Sequence, residues 1–142
     1  VKKQVEIITS TDIIPEMAGQ STLDYALSYA ARGWPVFPLH SINHRKCSCG
    51  HSKCTSPGKH PKTINGVKDA TTDENQIRTW WGAGPDSNIG IATGGGLVVL
   101  DADPRHDGDL SLEKLELPST PQVLTGGSGW HFYFKTDGAV GN

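Results

Sequence analysis

No run in this sequence approaches the ~20 consecutive apolar residues that a membrane-spanning helix requires, which argues against a helical membrane protein. The stretch Val1–Gln20 is polar and lacks the apolar core of ~7–15 residues that a secretory leader needs. Cysteine is scarce: there are 3, all between Cys47 and Cys54, which argues against a disulfide framework. Neither charge dominates. With 13 Lys and Arg against 15 Asp and Glu, the net charge of −2 gives no global argument for nucleic acid or an anionic membrane. Internal repeats are absent, and hydrophobic residues make up 35% of 142 positions, enough for one domain with a core of its own. The chain reads as cytoplasmic, and its first residue, Val rather than Met, reads as the start of a processed or excised chain.

What charge there is falls unevenly. From His40 to Lys68 there are six Lys or Arg and no acid; from Asp69 to Glu116 there are ten acids against Arg78, Arg105 and Lys114. By composition alone such a basic run is a solvated loop. A basic lobe beside an acidic one also suits a protein that grips a polyanion while holding cations. The basic run carries all three cysteines. Cys47, Cys49, Cys54 and His60 supply three thiolates and one imidazole within fourteen residues, the ligand complement of a closed structural zinc site. His40, His44 and His51 compete for the fourth position, and His60 is preferred. Gly50, Pro57 and Gly58 give the turns such wrapping requires, and one compact loop can supply the ligands without secondary structure.

The other concentration of chemistry runs from Gly94 to Asp109. Leu97-Val98-Val99-Leu100 reads as a buried strand, and the alternation of side chains puts Asp101 and Asp103 on the same side of it. Pro104 ends the ladder. Paired carboxylates at a strand exit are costly unless a cation sits between them, and a hard divalent ion is the natural one. The bland reading is a turn device, in which an Asp side chain caps the next helical turn.

Around these motifs the pattern predicts helices and strands in alternation. Ser21 and Asp24 form a capping box ahead of a helix with Leu23, Ala26, Leu27 and Ala30 on one face, closed at Gly33. Trp34–Leu39 is a short or edge strand because of its two prolines. Asp73 caps a second helix, with Gln76 as its reciprocal partner; Ile77, Trp80 and Trp81 form the buried stripe, and Gly82 ends it. The Trp pair reads as core rather than as a base-stacking platform. Asn88–Thr93 and the Leu97 strand, joined by three glycines, predict an antiparallel hairpin. Asp109 caps a short helix carrying Leu112 and Leu115, closed by Pro118. Gln122–Thr125 and Trp130–Lys135 form a second hairpin. On its last strand His131, Tyr133 and Lys135 share one face, and Phe132 and Phe134 share the other, the core face. The fold class is α+β: a mixed, largely antiparallel sheet with flanking helices and a zinc-binding loop insertion at about 40–68. Residues 1–20 form a flexible lead-in to a domain at 21–142.

Several pieces taken together resemble the archaeo-eukaryotic primase superfamily, specifically the N-terminal domain of bifunctional DNA primase/polymerases (prim-pol). They are Gly33-Trp34-Pro35-Val36-Phe37-Pro38, Pro57-Gly58-Lys59-His60-Pro61, Trp80-Trp81, Asn88 to Gly94, Leu97 to His106 and Thr125 to Phe134. The resemblance implies a nucleotidyltransferase that joins a nucleoside monophosphate from an NTP or dNTP to a 3′-hydroxyl on a single-stranded or primed DNA template. It implies Mg²⁺ or Mn²⁺ on Asp101 and Asp103, and His131, in Gly129-Trp130-His131, on the incoming nucleotide. Arg105, His106, Ser128 and Gly129 would join His131 there, with the Gly126–Gly129 backbone close to phosphate. Arg45, Lys46, Lys53, Lys59 and Lys62 would contact template phosphates. A helicase, fused or separate, and a prokaryotic, plasmid or phage-like cytoplasmic setting are implied as well, with no membrane partner. The family's third acidic motif lies downstream of the His strand. Asp137 comes too early to match it, so either the chain ends inside the domain at Asn142 or the protein lacks a full metal cage. Two other readings stand beside this one: a non-catalytic, zinc-dependent nucleic-acid-binding module, and a glycosyltransferase using Asp-X-Asp, in which the basic lobe and the His strand have no role.

Overall fold

The structure, a computed structural model, describes residues 5–6, 19–125 and 128–137. The lead-in beyond Val5–Glu6 and Gly19–Gln20 lies outside the described residues. Close contacts divide the chain into two compact units, one from 16–92 and one from 1–15 with 93–142.

In the unit from 16–92, Ser21 caps α1 (Thr22–Ala31) in a full capping box with Asp24. Strand β2 (Val36–Leu39) follows, then the small hairpin β3 (Ile42–Asn43) and β4 (Lys46–Cys47). Helix α2 (Glu74–Ala83) and β5 (Asn88–Ile91) complete it. Asp73 caps α2 by accepting from the N–H groups of Asn75 and Gln76. The reciprocal bond expected from Gln76 goes elsewhere: the Asp73 N–H donates to Thr71 Oγ1. The helix runs past Gly82 and ends at Gly84, because Gly82 does not interrupt the Gly84 N–H to Trp80 carbonyl bond.

Strand β2 pairs antiparallel with β5 from Val36↔Ile91 to Leu39↔Asn88. Ala26, Ala30, Val36, Ile77 and Trp81 form the core against this ribbon, with Leu23, Leu27 and Trp80 packed on it. The Trp pair therefore divides. Trp81 is 1% exposed and donates its indole N–H to the Ser87 carbonyl, whereas Trp80 is half-buried. Ile77→Ala is expected to lower the unfolding free energy by about 2–5 kcal/mol, since the side chain is fully buried. A denaturant titration followed by far-UV circular dichroism measures this.

The other unit is built on β8 (Trp130–Thr136). Strand β6 (Leu97–Ala102) pairs with it along one edge, from Leu97↔Lys135 to Ala102↔Trp130. The opposite edge is shared: β7 (Gln122–Leu124) takes its first residues and β1 (Val5–Glu6) takes its end. All pairs in the described residues are antiparallel, and with the helices they make the α+β class. The β7–β8 hairpin is as expected. The hairpin expected between β5 and β6 does not form: β5 pairs with β2, and β6 with β8. Gly94, Gly95 and Gly96 instead make a tight turn at the start of β6, at φ 99°, 58° and 98°, closed by mutual backbone bonds between Gly94 and Leu97.

The 97–100 run is less buried than its aliphatic character suggests: only Leu97 is fully buried. On β8 the Phe face is not the sole core face, since Tyr133 on the opposite face is as buried as Phe134. The Tyr133 backbone is held by Thr120 and Pro121, through its carbonyl to the Thr120 hydroxyl and its N–H to the Pro121 carbonyl. A short helix, α3 (Gly108–Leu112), begins before Asp109, so that residue lies inside the helix and not at its cap. Among the described residues no helix is long and apolar enough to cross a membrane.

Candidate functional site

Cross-strand register brings the acidic and histidine motifs together. Asp101 faces His131 directly across β6 and β8, so both lie on one face of the sheet. His131 Nε2 stands 3.5 Å from Asp101 Oδ1, and its ring meets Tyr133 edge-on at 6.4 Å between centroids. Two close approaches make this register attainable. A Cβ on Gly129 would fall 2.6 Å from the Ala102 carbonyl oxygen, so a larger residue would push the start of β8 away from the end of β6. Thr125 holds the same residue: the Gly129 N–H donates to Thr125 Oγ1, and the Thr125 N–H to the Gly129 carbonyl. Ser128 is exposed at φ 64°, with its N–H bonded to the Thr125 carbonyl. Gly126 and Gly127 lie outside the described residues.

Asp103 follows the strand with extended backbone and caps a 3-10 turn, Pro104–His106. Its Oδ1 accepts the Arg105 N–H, so the turn-device reading holds for this aspartate. The Arg105 guanidinium also closes on it, with Nε 3.0 Å from Oδ1 and Nη2 2.6 Å from Oδ2. That guanidinium, followed by the Arg105 N–H, holds the Asp103 carboxyl down to about 2. His106 and Gly108 both donate backbone N–H groups to the Asp103 carbonyl, and a Cβ on Gly108 would fall 2.5 Å from the Asp103 nitrogen. The turn is thereby folded back on the residue that it positions. Asp101, Asp103 and His106 line one cavity of about 420 Å³, walled by Leu100, Leu112 and Leu115. Oxygen-only donors from two carboxylates are the chemistry of a hard divalent cation.

The cysteine cluster assembles in the unit from 16–92. The ligand atoms of Cys47, Cys49, Cys54 and His60 all lie within 4.8 Å of one another. Cys47 Sγ is 3.3 Å and Cys54 Sγ 3.5 Å from His60 Nε2. Ligands at tetrahedral bond lengths around zinc sit about 3.5 Å apart, so the group fits that metal. The loop is more regular than expected, because Cys47 ends the β3–β4 hairpin. His44 and Arg45 make its two-residue turn at φ 47° and 65°, the left-handed pair of a type I′ turn. The backbone N–H of Cys49 is the largest influence drawing the Cys47 thiol down to about 6; the Gly58 N–H and His60 add to it. Burial, with the neighbouring Cys49 and Cys47, pushes Cys54 up.

None of the competing histidines belongs to the ligand group. His44 is in the turn, and His51 lines the adjacent cavity of about 580 Å³. His40 lies against His60 with ring centroids 4.3 Å apart, its Nδ1 2.9 Å from Ser48 Oγ and its backbone N–H on the His60 carbonyl. His40 and Ser48 thus hold a ligand in place, a role that sequence spacing did not signal. Arg45, Lys46, Lys53 and Lys59 are exposed. Lys62 is engaged, donating from Nζ to Ser87 Oγ at 2.8 Å.

No curated protein and no solved structure matches the chain significantly. A family model, that of the bifunctional DNA primase/polymerase N-terminal domain, matches residues 26–142. The match spans the Cys/His cluster, the aspartate strand and the histidine strand alike, and the chain therefore belongs to the Prim-Pol family.

Proposed function

We propose that this domain catalyses template-directed nucleotidyl transfer, joining a nucleoside monophosphate from an NTP or dNTP to a 3′-hydroxyl. The observation that carries the reading is the placement of Asp101 opposite His131, 3.5 Å apart, at one end of the β6–β8 pair in a Prim-Pol chain. Asp101 and Asp103 would hold Mg²⁺ or Mn²⁺, which when bound supplies Lewis-acid charge to the attacking and leaving oxygens. The chain's own residues bind and orient the nucleotide. His131 and His106 offer ring N–H groups to the triphosphate, and Ser128 and Gly129 lie at the turn that sets the approach. Arg105 is a planar fork suited to phosphate oxygens. Its side chain is 67% exposed, and solvent screens its pairing with Asp103, so the fork can turn to a phosphate. Primer extension by the full-length protein, with and without Asp101→Asn, tests the assignment.

Cys47, Cys49, Cys54 and His60 would hold a structural zinc ion with no open position for catalysis. The lobe they organise carries the exposed Arg45, Lys46, Lys53 and Lys59, which we assign to template phosphates. Lys62, tied to Ser87, contributes less to that surface than its charge alone suggests. Charge reversal at Lys53 and Lys59 together is expected to weaken single-stranded DNA binding and to reduce the slope of log K against log salt by about 1–2. An unchanged affinity and slope would leave these lysines as solvated surface.

A further inference from the structure

The face that carries Asp101 and His131 does not end at β8. Register places Val123 of β7 directly opposite His131, on the side away from Asp101. Directly opposed residues share a face, so Asp101, His131 and Val123 form one row across three strands. Adjacent strands lie about 4.8 Å apart, and the row therefore spans about 10 Å. The next row along the face, Val99–Tyr133–Pro121, is largely covered: Tyr133 is only 7% exposed, and the residues beside it are half-buried. On the other side, the bonds between Gly129 and Thr125 close the strand ends. Val123 is nevertheless 42% exposed, a β-branched apolar side chain in solvent beside a histidine. A single exposed aliphatic residue is ordinary on a protein surface. Leu124, 61% exposed on the opposite face, is such a residue. Val123 differs by its place in the row.

We propose that Val123 is the nucleoside contact of the incoming nucleotide, packing against its sugar and base; this rests on the proposed nucleotidyl transfer. Polarity falls along the row, from a carboxylate at Asp101 through an imidazole at His131 to methyl groups at Val123. A nucleoside triphosphate has the same gradient, from charged phosphates to a sugar and base with apolar faces. The groups at the Asp101 end set the direction. Asp103, Arg105 and His106 follow directly there, suited to a metal or to phosphate oxygens and not to an apolar surface. A phosphate set against Val123 would lose solvation with no donor to replace it. The C–H face of a sugar or base avoids that cost and gains by covering the methyl groups. Gln122, whose amide could bond a base edge, faces away with Leu124. The contact is therefore one of apolar area, indifferent to which base is bound. That suits an enzyme whose choice of base comes from a template. The leucine-walled cavity beside Asp101 is the rival location, and its Leu115 supplies a control.

The test measures binding of dATP, ATP and inorganic tripolyphosphate to the full-length protein by calorimetry with Mn²⁺ present, together with KM and kcat for primer extension. It compares Val123→Ala, Val123→Ile, Leu124→Ala and Leu115→Ala. Val123 and Leu124 are both exposed, so neither substitution opens a cavity in the core. Val123→Ala is expected to weaken nucleotide binding and raise KM about threefold or more, with kcat and tripolyphosphate binding little changed. Val123→Ile should keep the affinity, and Leu124→Ala and Leu115→Ala should behave as the unaltered protein does. Unchanged nucleotide affinity in Val123→Ala, an equal loss on tripolyphosphate, or the same loss in Leu124→Ala overturns the proposal. So does a loss confined to Leu115→Ala, which moves the nucleoside to the leucine-walled cavity. Failure of the unaltered protein to bind any of the three ligands overturns the nucleotidyl-transfer reading as well, which distinguishes the two failures.

Discussion

In primer extension by the full-length protein, Asp101→Asn is expected to reduce nucleotide incorporation by at least about a hundredfold, with the fold unchanged. The amide is nearly isosteric with the carboxylate but removes a full negative charge from a site proposed to hold divalent ions. Lewis-acid stabilisation of phosphoryl oxygens is worth several kcal/mol, and each 1.36 kcal/mol is tenfold in rate. The fold should survive because Asp101 is exposed and its approach to His131, at 3.5 Å, is long for a hydrogen bond. Asp103→Asn is the more complex substitution. An asparagine Oδ1 still accepts the Arg105 N–H and keeps the turn, but the guanidinium loses its ionic partner. Its incorporation rate should fall similarly, while His131→Ala should act mainly on KM by removing a nucleotide contact rather than a metal ligand. Calorimetric Mn²⁺ binding without nucleotide separates these cases: both Asp variants should weaken it, and His131→Ala should not. Equal extension by Asp101→Asn and the unaltered protein would remove the catalytic reading.

Stripping zinc is expected to melt the 40–62 lobe and to leave the β6–β8 sheet standing. The described hairpin there is only two residues per strand, and the exposed Ile42 contributes little core, so a bound metal would supply the cohesion. Purified without chelator, the protein should carry about one equivalent of zinc; below about half an equivalent the assignment fails. Acid should release the metal. The Cys47 thiol is drawn from its ordinary value near 9 down to about 6, so the stability that its ionised form brings is full above about pH 9 and is lost progressively as pH falls through about 6. Zinc retention measured by a chromogenic chelator should therefore decline on acidification and not on mild alkalinisation. Cys47→Ser should show the same loss at neutral pH, with amide exchange rising in the lobe alone.

Local signals proved the most legible part of the sequence. The Ser21–Asp24 capping box, the Asp73 cap and the four zinc-site residues are each decided within a few positions, and the structure has them together. Strand partners were harder, because pairing is settled by distant chain. The three glycines before Leu97 look like a hairpin turn, yet β5 finds β2 and β6 finds β8, whose aromatic and aliphatic residues lie opposite one another. The alternation rule placed Asp101 and His131 each on a face, but only register could show that they share it. Arg105 illustrates another limit: its position two residues after Asp103 did not reveal that the guanidinium would close on that carboxylate. The same holds for Trp80 and Trp81, adjacent letters that the helix turns to different environments.

The sheet that carries His131 is assembled from both sides of the inserted 16–92 unit, with Val5 paired to Thr136. During synthesis the inserted unit is complete, with its own core, before any residue of β6 or β8 has been made. The pairing of β1 with β8 closes a loop of nearly the whole chain and so carries a high entropic cost, which puts it among the last contacts to form. A nascent chain consequently acquires its cysteine lobe and the core of the 16–92 unit early. Its acidic and histidine residues meet only when the final strand has emerged, so the half of the molecule that carries them matures last.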